Sequence, residues 1–139
     1  MRIQKVTITN IRGLGAEAPL TVRFNQSAGW TVLAGVNGSG KTTFLQAIAA
    51  ATIGPTSSSR LMKDPARWIH LAHDAARVEA WIEQNPIDDH WNSPLPLTFR
   101  MGSSWTRQRG LKKDIAPGLE EFIESQFWDG AAFGATPQG

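Results

Sequence analysis

Eight consecutive residues, Gly35-Val36-Asn37-Gly38-Ser39-Gly40-Lys41-Thr42, fill every fixed position of the pattern G-x-x-x-x-G-K-[ST], with a further threonine, Thr43, directly after it. The chemistry this spacing allows is the cradling of a polyphosphate. Backbone N–H groups must converge on phosphate oxygens, which asks for positive φ and for no side chains in the way; Gly35, Gly38 and Gly40 supply both. A helix beginning at the lysine would aim unpaired N–H groups and a partial positive charge at the same phosphates. Lys41 adds a mobile full charge near the β and γ phosphates, and the Thr42 hydroxyl is a ligand for the octahedral shell of Mg²⁺. The stretch Gly35–Thr43 is therefore the candidate nucleotide site, with a nucleotide polyphosphate and Mg²⁺ as its ligands.

Other constellations are weaker. His70 and His73 lie three residues apart with Asp74 next door, a set that could ligate zinc, but no further ligand cluster joins them. Ordinary histidines at a helix end explain them. The segment "SWTRQRGLKK" interleaves Trp105 with Arg107, Arg109, Lys112 and Lys113. It is either a solvated basic loop or a tracker of nucleic-acid backbone, which makes DNA a candidate partner. Adjacent acidic residues occur only at Asp88-Asp89, inside a Pro/Asn-rich turn, and at Glu120-Glu121. Neither pair ends an apolar strand, as a water-activating carboxylate after a strand would require.

The elements that must position the cradle read as follows. In "IQKVTITNIRGL", Gln4, Val6 and Ile8 alternate with Ile3, Lys5 and Thr7, a strand expected near a sheet edge. Leu20, Val22 and Phe24 alternate with Thr21 and Arg23 in a second strand, joined to the first by a glycine-containing connection, so a hairpin or meander is expected. "WTVLAG" is continuously apolar, as a strand covered on both faces would be. A helix starts at Lys41 with the stripe Phe44, Leu45, Ile48, Ala49 and a stop at Gly54-Pro55. "TSSS" reads as a loop. "DPARWIHLAHDA" opens with Asp and Pro at N-cap and N1, which predicts a short helix. "ARVEAWIE" and "PLPLTFRM" alternate as two strands that pair, separated by the turn chemistry of "NPIDDHWNSP". "GSSWTRQRGLKK" is expected to be a loop. Leu119, Phe122, Ile123 and Phe127 fall at helical spacing, predicting an amphipathic helix over "PGLEEFIESQF".

With 139 residues and 41% hydrophobic content the chain has the size and composition of one globular domain with a real core. Residues 1–72 hold eight Lys/Arg against two Asp/Glu, and residues 73–139 hold six against ten. The positive half suits polyanions, or is simply unevenly solvated surface. There is no cysteine, which excludes a disulfide framework and a cysteine metal site. "MRIQKVTITN" lacks a signal-peptide core, and the longest apolar run, "AIAAA", is far short of the roughly 20 residues that span a bilayer. A cytoplasmic protein with no membrane role is expected.

Three stretches together carry a resemblance. "VTITNIRGL", "PLTVRF" and "TVLAGVNGSGKTTFLQAIAAATIGP" resemble the opening of the ATP-binding-cassette-type heads of SMC, RecF and related genome-maintenance or anti-phage ATPases. Those heads open with a strand ending in a phrase such as N-F-R-G-F, here Asn10-Ile11-Arg12-Gly13-Leu14, and carry G-x-N-G-x-G-K-[ST], with Asn37 at the family's position. The likeness is strong over residues 1–54. Beyond it, "ARVEAWI" and "LPLTFRM" are similar to strands of the family's antiparallel subdomain.

The resemblance implies an α/β P-loop NTPase lobe, with a mixed sheet around the P-loop helix and a small antiparallel β-subdomain. A P-loop core over 1–55 and an incomplete subdomain over 56–139 would make one partial, truncated domain. It also implies that Arg12 approaches the nucleotide or DNA, and that ATP is sandwiched between two heads. The family's Q-loop, L-S-G-G-like signature and Walker B Asp-Glu find no match here; Gln126 and Gln138 are the only late glutamines. The expectation is an ATP-binding lobe that needs a second head or a C-terminal lobe, and that does not turn ATP over by itself. Two rivals stand beside it: a nucleotide-gated dimerisation module without hydrolysis, and a compact P-loop kinase.

Overall fold

A computed structural model describes residues 1–24, 29–53, 67–85, 87, 98–108 and 121–129; for 108 and 121–129 it describes the backbone. Five strands, β1 (Arg2–Thr9), β2 (Leu20–Arg23), β3 (Ala75–Glu83), β4 (Thr98–Gln108) and β5 (Glu121–Asp129), form one sheet in the order β2-β1-β3-β4-β5. One helix, α1 (Lys41–Thr52), packs on it.

The period-2 patterns of β2 and β3 stand as expected, and that of β1 stands from Lys5 onward; an irregularity between Ile3 and Lys5 puts Ile3 against the core and Gln4 on the face of Lys5, the reverse of the expected alternation. Val6 and Ile8, then Ala76, Val78, Ala80 and Ile82, point into the core, while Lys5, Thr7, Glu79 and Trp81 point to the other face. β1 is nevertheless no edge strand: it pairs antiparallel with β2 on one side and with β3 on the other. The edge positions fall to β2 and β5.

All four strand pairings are antiparallel, so a mixed sheet is not formed among the described residues. The reason lies in residues 30–35, expected to be a doubly covered strand. No strand runs alongside them among the described residues, and they adopt no ladder. Trp30 is 100% and Val32 83% exposed. A continuous apolar run indicates only that both faces could be buried; it needs neighbours to become a strand.

Of the expected stripe α1 buries Phe44 and packs Ile48 partly against the core, but Thr43, Ala47, Ala50 and Ala51 complete the buried face and Leu45 is 56% exposed. The three alanines let the helix backbone approach the sheet closely enough for Ser103 on β4 to donate its hydroxyl to the Ala50 carbonyl at 2.8 Å. That bond satisfies a buried polar group which would otherwise destabilise the core. The helix ends at Ile53, whose N–H bonds the Ala49 carbonyl; the expected stop at Gly54-Pro55, and the "TSSS" loop, lie outside the described residues.

Three further expectations change. Of the expected helix only Arg67, in a 3₁₀ turn, is helical among the described residues, and 68–74 are not: Ile69 forms an isolated bridge with Ile11, and the Arg12 N–H donates to the Trp68 carbonyl at 2.7 Å. Asp64-Pro65-Ala66, the expected helix start, lie outside the described residues. Backbone groups of 68–70 bond the turn after β1 instead of closing a helix of their own.

Gly102–Gln108, expected as a loop, completes β4, with Trp105 wholly buried against Trp68 (centroids 6.2 Å apart). Arg109, Lys112 and Lys113 lie outside the described residues. Residues 121–127, the described part of the expected helix over 117–127, form β5 together with 128 and 129, paired with β4 residue by residue from Gln108↔Glu121 to Arg100↔Asp129; Leu119 lies outside the described residues. Phe122, Ile123 and Phe127 are too few to set a period, and the open edge of β4 decides the matter. At the "NPIDDHWNSP" turn, Ile87 N–H donates to the Asn85 side chain at 3.1 Å, the local bond that turn asparagines favour; Asp88 and Asp89 lie outside the described residues.

Candidate functional site

The glycine-rich loop leads directly into α1. Gly38 and Gly40 have φ of 84° and 89°, the left-handed region that glycine enters without strain. A Cβ on Gly35 would stand 2.7 Å from the Ser39 hydroxyl, and one on Gly40 would stand 3.0 Å from Leu14. A side chain at position 35 would require Ser39 to turn away, and one at position 40 would hold a strained positive φ against Leu14.

Gly40 is the N-cap of α1 and offers no side-chain cap, and no acidic residue occupies the first turn. The first intrahelical bond runs from Phe44 N–H to the Gly40 carbonyl (2.8 Å), so the amides of Lys41, Thr42 and Thr43 precede the ladder. A helix start with free amides and no carboxylate of its own is suited to an external anion.

The Lys41 ammonium folds back over the loop. It donates to the Gly35 carbonyl at 2.7 Å, to the Val36 carbonyl at 2.8 Å and to Ser39 Oγ at 3.4 Å. Val36 also accepts from Ser39 N–H (3.2 Å), which closes the turn around Asn37 and Gly38. Thr42 is exposed and Thr43 buried.

The Asn10-Ile11-Arg12-Gly13-Leu14 phrase is built into the same site. Ile11 and Leu14 exchange backbone bonds (Ile11 N–H to Leu14 O 3.0 Å, Leu14 N–H to Ile11 O 2.8 Å), and Asn10 N–H reaches Gly15 O at 3.0 Å. Asn10 (φ 57°) and Arg12 (φ 51°) both adopt the left-handed conformation, which non-glycine residues hold only where surrounding contacts impose it. Those contacts are visible. Asn10 bonds His70 N–H through its carbonyl (2.8 Å) and the Ala75 carbonyl through its side chain (3.0 Å), and Ile11 is fully buried.

Arg12 thereby reaches α1: its Nη1 donates to Thr43 Oγ1 at 3.3 Å, with the guanidinium 5.0 Å from the Trp68 ring. Leu14 lies beside Gly40. Gly35–Thr43 and Arg12, singled out from sequence, are thus neighbours in space. Leu14 and Trp68, which hold the turn and the arginine, were missed; the sequence signal for Leu14 was its place in the same phrase, and Trp68 carried none.

The histidines do other work. The His73 ring bonds the Ala16 carbonyl at 2.9 Å and stands 5.5 Å from the His70 ring. No group of three metal-ligating side chains exists among the described residues. Trp105, buried in the core, is not available to stack a base.

The family model described as "AAA domain" matches residues 5–91, more than half of the chain, covering β1, β2, the glycine loop, α1 and β3. No curated protein matches the chain. No helix among the described residues is long and apolar enough to cross a membrane.

Proposed function

Because the chain belongs to the AAA-domain family of P-loop ATPases, we propose that it binds Mg·ATP through Gly35–Thr43 as the nucleotide-binding lobe of an SMC/RecF-like ATPase. The observation that carries the reading is the uncapped start of α1 behind two positive-φ glycines, with Lys41 folded over the loop. The residues present fit the ligand: free amides and a cation line the loop, and no carboxylate stands in the first helical turn. Lys41 would exchange its carbonyl bonds for the β and γ phosphates, Thr42 would offer its exposed hydroxyl to the metal, and Arg12 is held one turn into α1 by Thr43. Mg²⁺, when bound, neutralises charge on the phosphate oxygens.

The phrase carrying Arg12 and its contact with α1 favour the SMC/RecF-like assignment over a compact kinase. A cytoplasmic role in DNA repair, DNA processing or anti-phage defence, with a second head or a C-terminal lobe as partner, belongs to the same reading. The dimerisation module without hydrolysis remains the rival for this chain by itself.

Alone, the chain is expected to bind ATP without sustained turnover. Holding phosphates and metal is only part of catalysis; a group that orients the attacking water is also needed. No apolar strand here ends in Asp-Glu. The test is phosphate release under saturating Mg·ATP, wild type against Lys41→Ala. Multiple turnover abolished by that change would overturn the expectation and bring Asp88, Asp89 or Glu120 into the mechanism.

Thr42→Ala is expected to weaken binding measured with Mg²⁺ while leaving binding in EDTA nearly unchanged, since only the metal loses a ligand. Titration of a fluorescent ATP analogue under both conditions decides it; equal losses would contradict the role of Thr42.

A further inference from the structure

Across the sheet from α1, the open face carries a row of side chains that neither the core nor the nucleotide site uses. The registers Arg23↔Lys5, Lys5↔Trp81 and Trp81↔Arg100 align these four residues across β2, β1, β3 and β4. At about 4.8 Å per strand the row is about 14 Å long. A register shift between Ile3 and Lys5 turns Arg2 onto the same face, opposite Glu83. Arg2, Gln4, Lys5, Arg23, Phe24 and Trp81 line a cleft of about 220 Å³.

The charges on this face are unequally neutralised. Arg2 is paired with Glu83, and the hydrogen bonds from Arg2 and Gln4 hold the Glu83 carboxyl below its usual range. Glu79 serves two guanidiniums, Arg77 at 2.8 Å and Arg100 at 3.1 Å, and the register sets Asp129 of β5 opposite Arg100.

Lys5 and Arg23 are different. They are direct cross-strand neighbours, and neither pairs with a carboxylate among the described residues. Lys5 instead lies over Trp81, 3.5 Å from the ring centroid. Like charges placed directly opposite destabilise a sheet. The repulsion between the two works against the fold, and an anion bound between them would relieve it.

We propose that this open face binds a single nucleic-acid strand, its phosphates running along Arg23 and Lys5, with Lys5 turning from the Trp81 ring to a phosphate and a base taking its place on that ring. The cleft is smaller than the pockets that enclose whole cofactors. The row is too long for one phosphate, and an aromatic set among cations is the arrangement that tracks single strands without reading sequence. The site is independent of the nucleotide reading, since it lies on the opposite face of the sheet.

The test uses the full chain and a fluorescent 15-nucleotide oligothymidylate, titrated over a range of salt. Binding should weaken as salt rises, and Lys5→Gln with Arg23→Gln should lower affinity at least tenfold. The double change should also reduce the slope of log K against log salt by roughly 1.4, for two phosphate contacts at about 0.7 each. Lys5→Arg with Arg23→Lys should retain binding, and Trp81→Leu should weaken it with the slope unchanged.

Lys41→Ala should leave oligonucleotide binding intact; loss in that variant would place the strand at the P-loop and overturn the proposal. So would affinity indifferent to Lys5 and Arg23, or no binding at all. Calorimetry with inorganic phosphate supplies the remaining arm. Phosphate bound through Lys5 and Arg23 by a chain that ignores the oligonucleotide would show a small-anion site instead. Thermal melting of each variant must match wild type; if the glutamine pair melts early, the folded Arg/Lys swap against Lys5→Gln alone decides.

Discussion

Lys41→Ala is expected to weaken Mg·ATP binding roughly ten- to a hundredfold, because a charge-assisted contact to phosphate contributes about 1.5–3 kcal/mol. Two effects combine in that figure. The ammonium now donates to the Gly35 and Val36 carbonyls, so its loss also removes a brace from the loop. Those bonds are exchanged for phosphate bonds on binding, which keeps the net effect within the stated range rather than at the full strength of an ion pair. Lys41→Arg should be nearly as damaging, because a planar guanidinium cannot occupy the position of a compact ammonium between two carbonyls. Isothermal titration with ATP measures both variants, and unchanged affinity in Lys41→Ala would remove the P-loop from the site. Melting without nucleotide separates the two effects: the brace is solvent-exposed, so its loss should cost little stability.

Trp105→Ala should destabilise the fold by about 3–5 kcal/mol, the usual cost of truncating a large buried aromatic. Trp105 is wholly buried on β4 and faces Trp68 at a tilt of 39°. Removing it leaves Trp68 without a neighbour on that side, and Trp68 in turn lies under Arg12 and anchors the turn after β1 through its carbonyl. A loss of ATP affinity beyond the loss of folded protein is therefore expected as well. Had the residue stood on a surface loop, the same change would fall within about 0.5 kcal/mol. Urea unfolding of the variant distinguishes the two, and a change that small would mean that Trp105 does not belong to the core.

The parts of this protein legible in its sequence are those whose signal is local. Glycine alone enters the positive-φ region without strain, so Gly38 and Gly40 announced the loop before any fold was known. Alternation in β2, in β3 and, from Lys5 onward, in β1 survived because each strand has one face on the core and one open, the condition that writes period 2 into a chain; the irregularity after Ile3 was not legible. The Asn10–Leu14 phrase was legible as a resemblance, but its geometry was not. Two left-handed residues and the reach of Arg12 to Thr43 depend on bonds from 68–70 and 75, some sixty residues away.

Tertiary structure alone decided the rest. Residues 121–129 carry a pattern that serves helix or strand, and nine consecutive pairings with β4 make them a strand. Residues 30–35 have the composition of a central strand and remain without a ladder, because strand formation requires a neighbour and none lies beside them among the described residues. Lys5 and Arg23 looked like two solvated charges eighteen residues apart; only the hairpin register sets them side by side with Trp81. Local propensity and spacing are properties of a segment, whereas edge, register and burial are properties of what lies next to it.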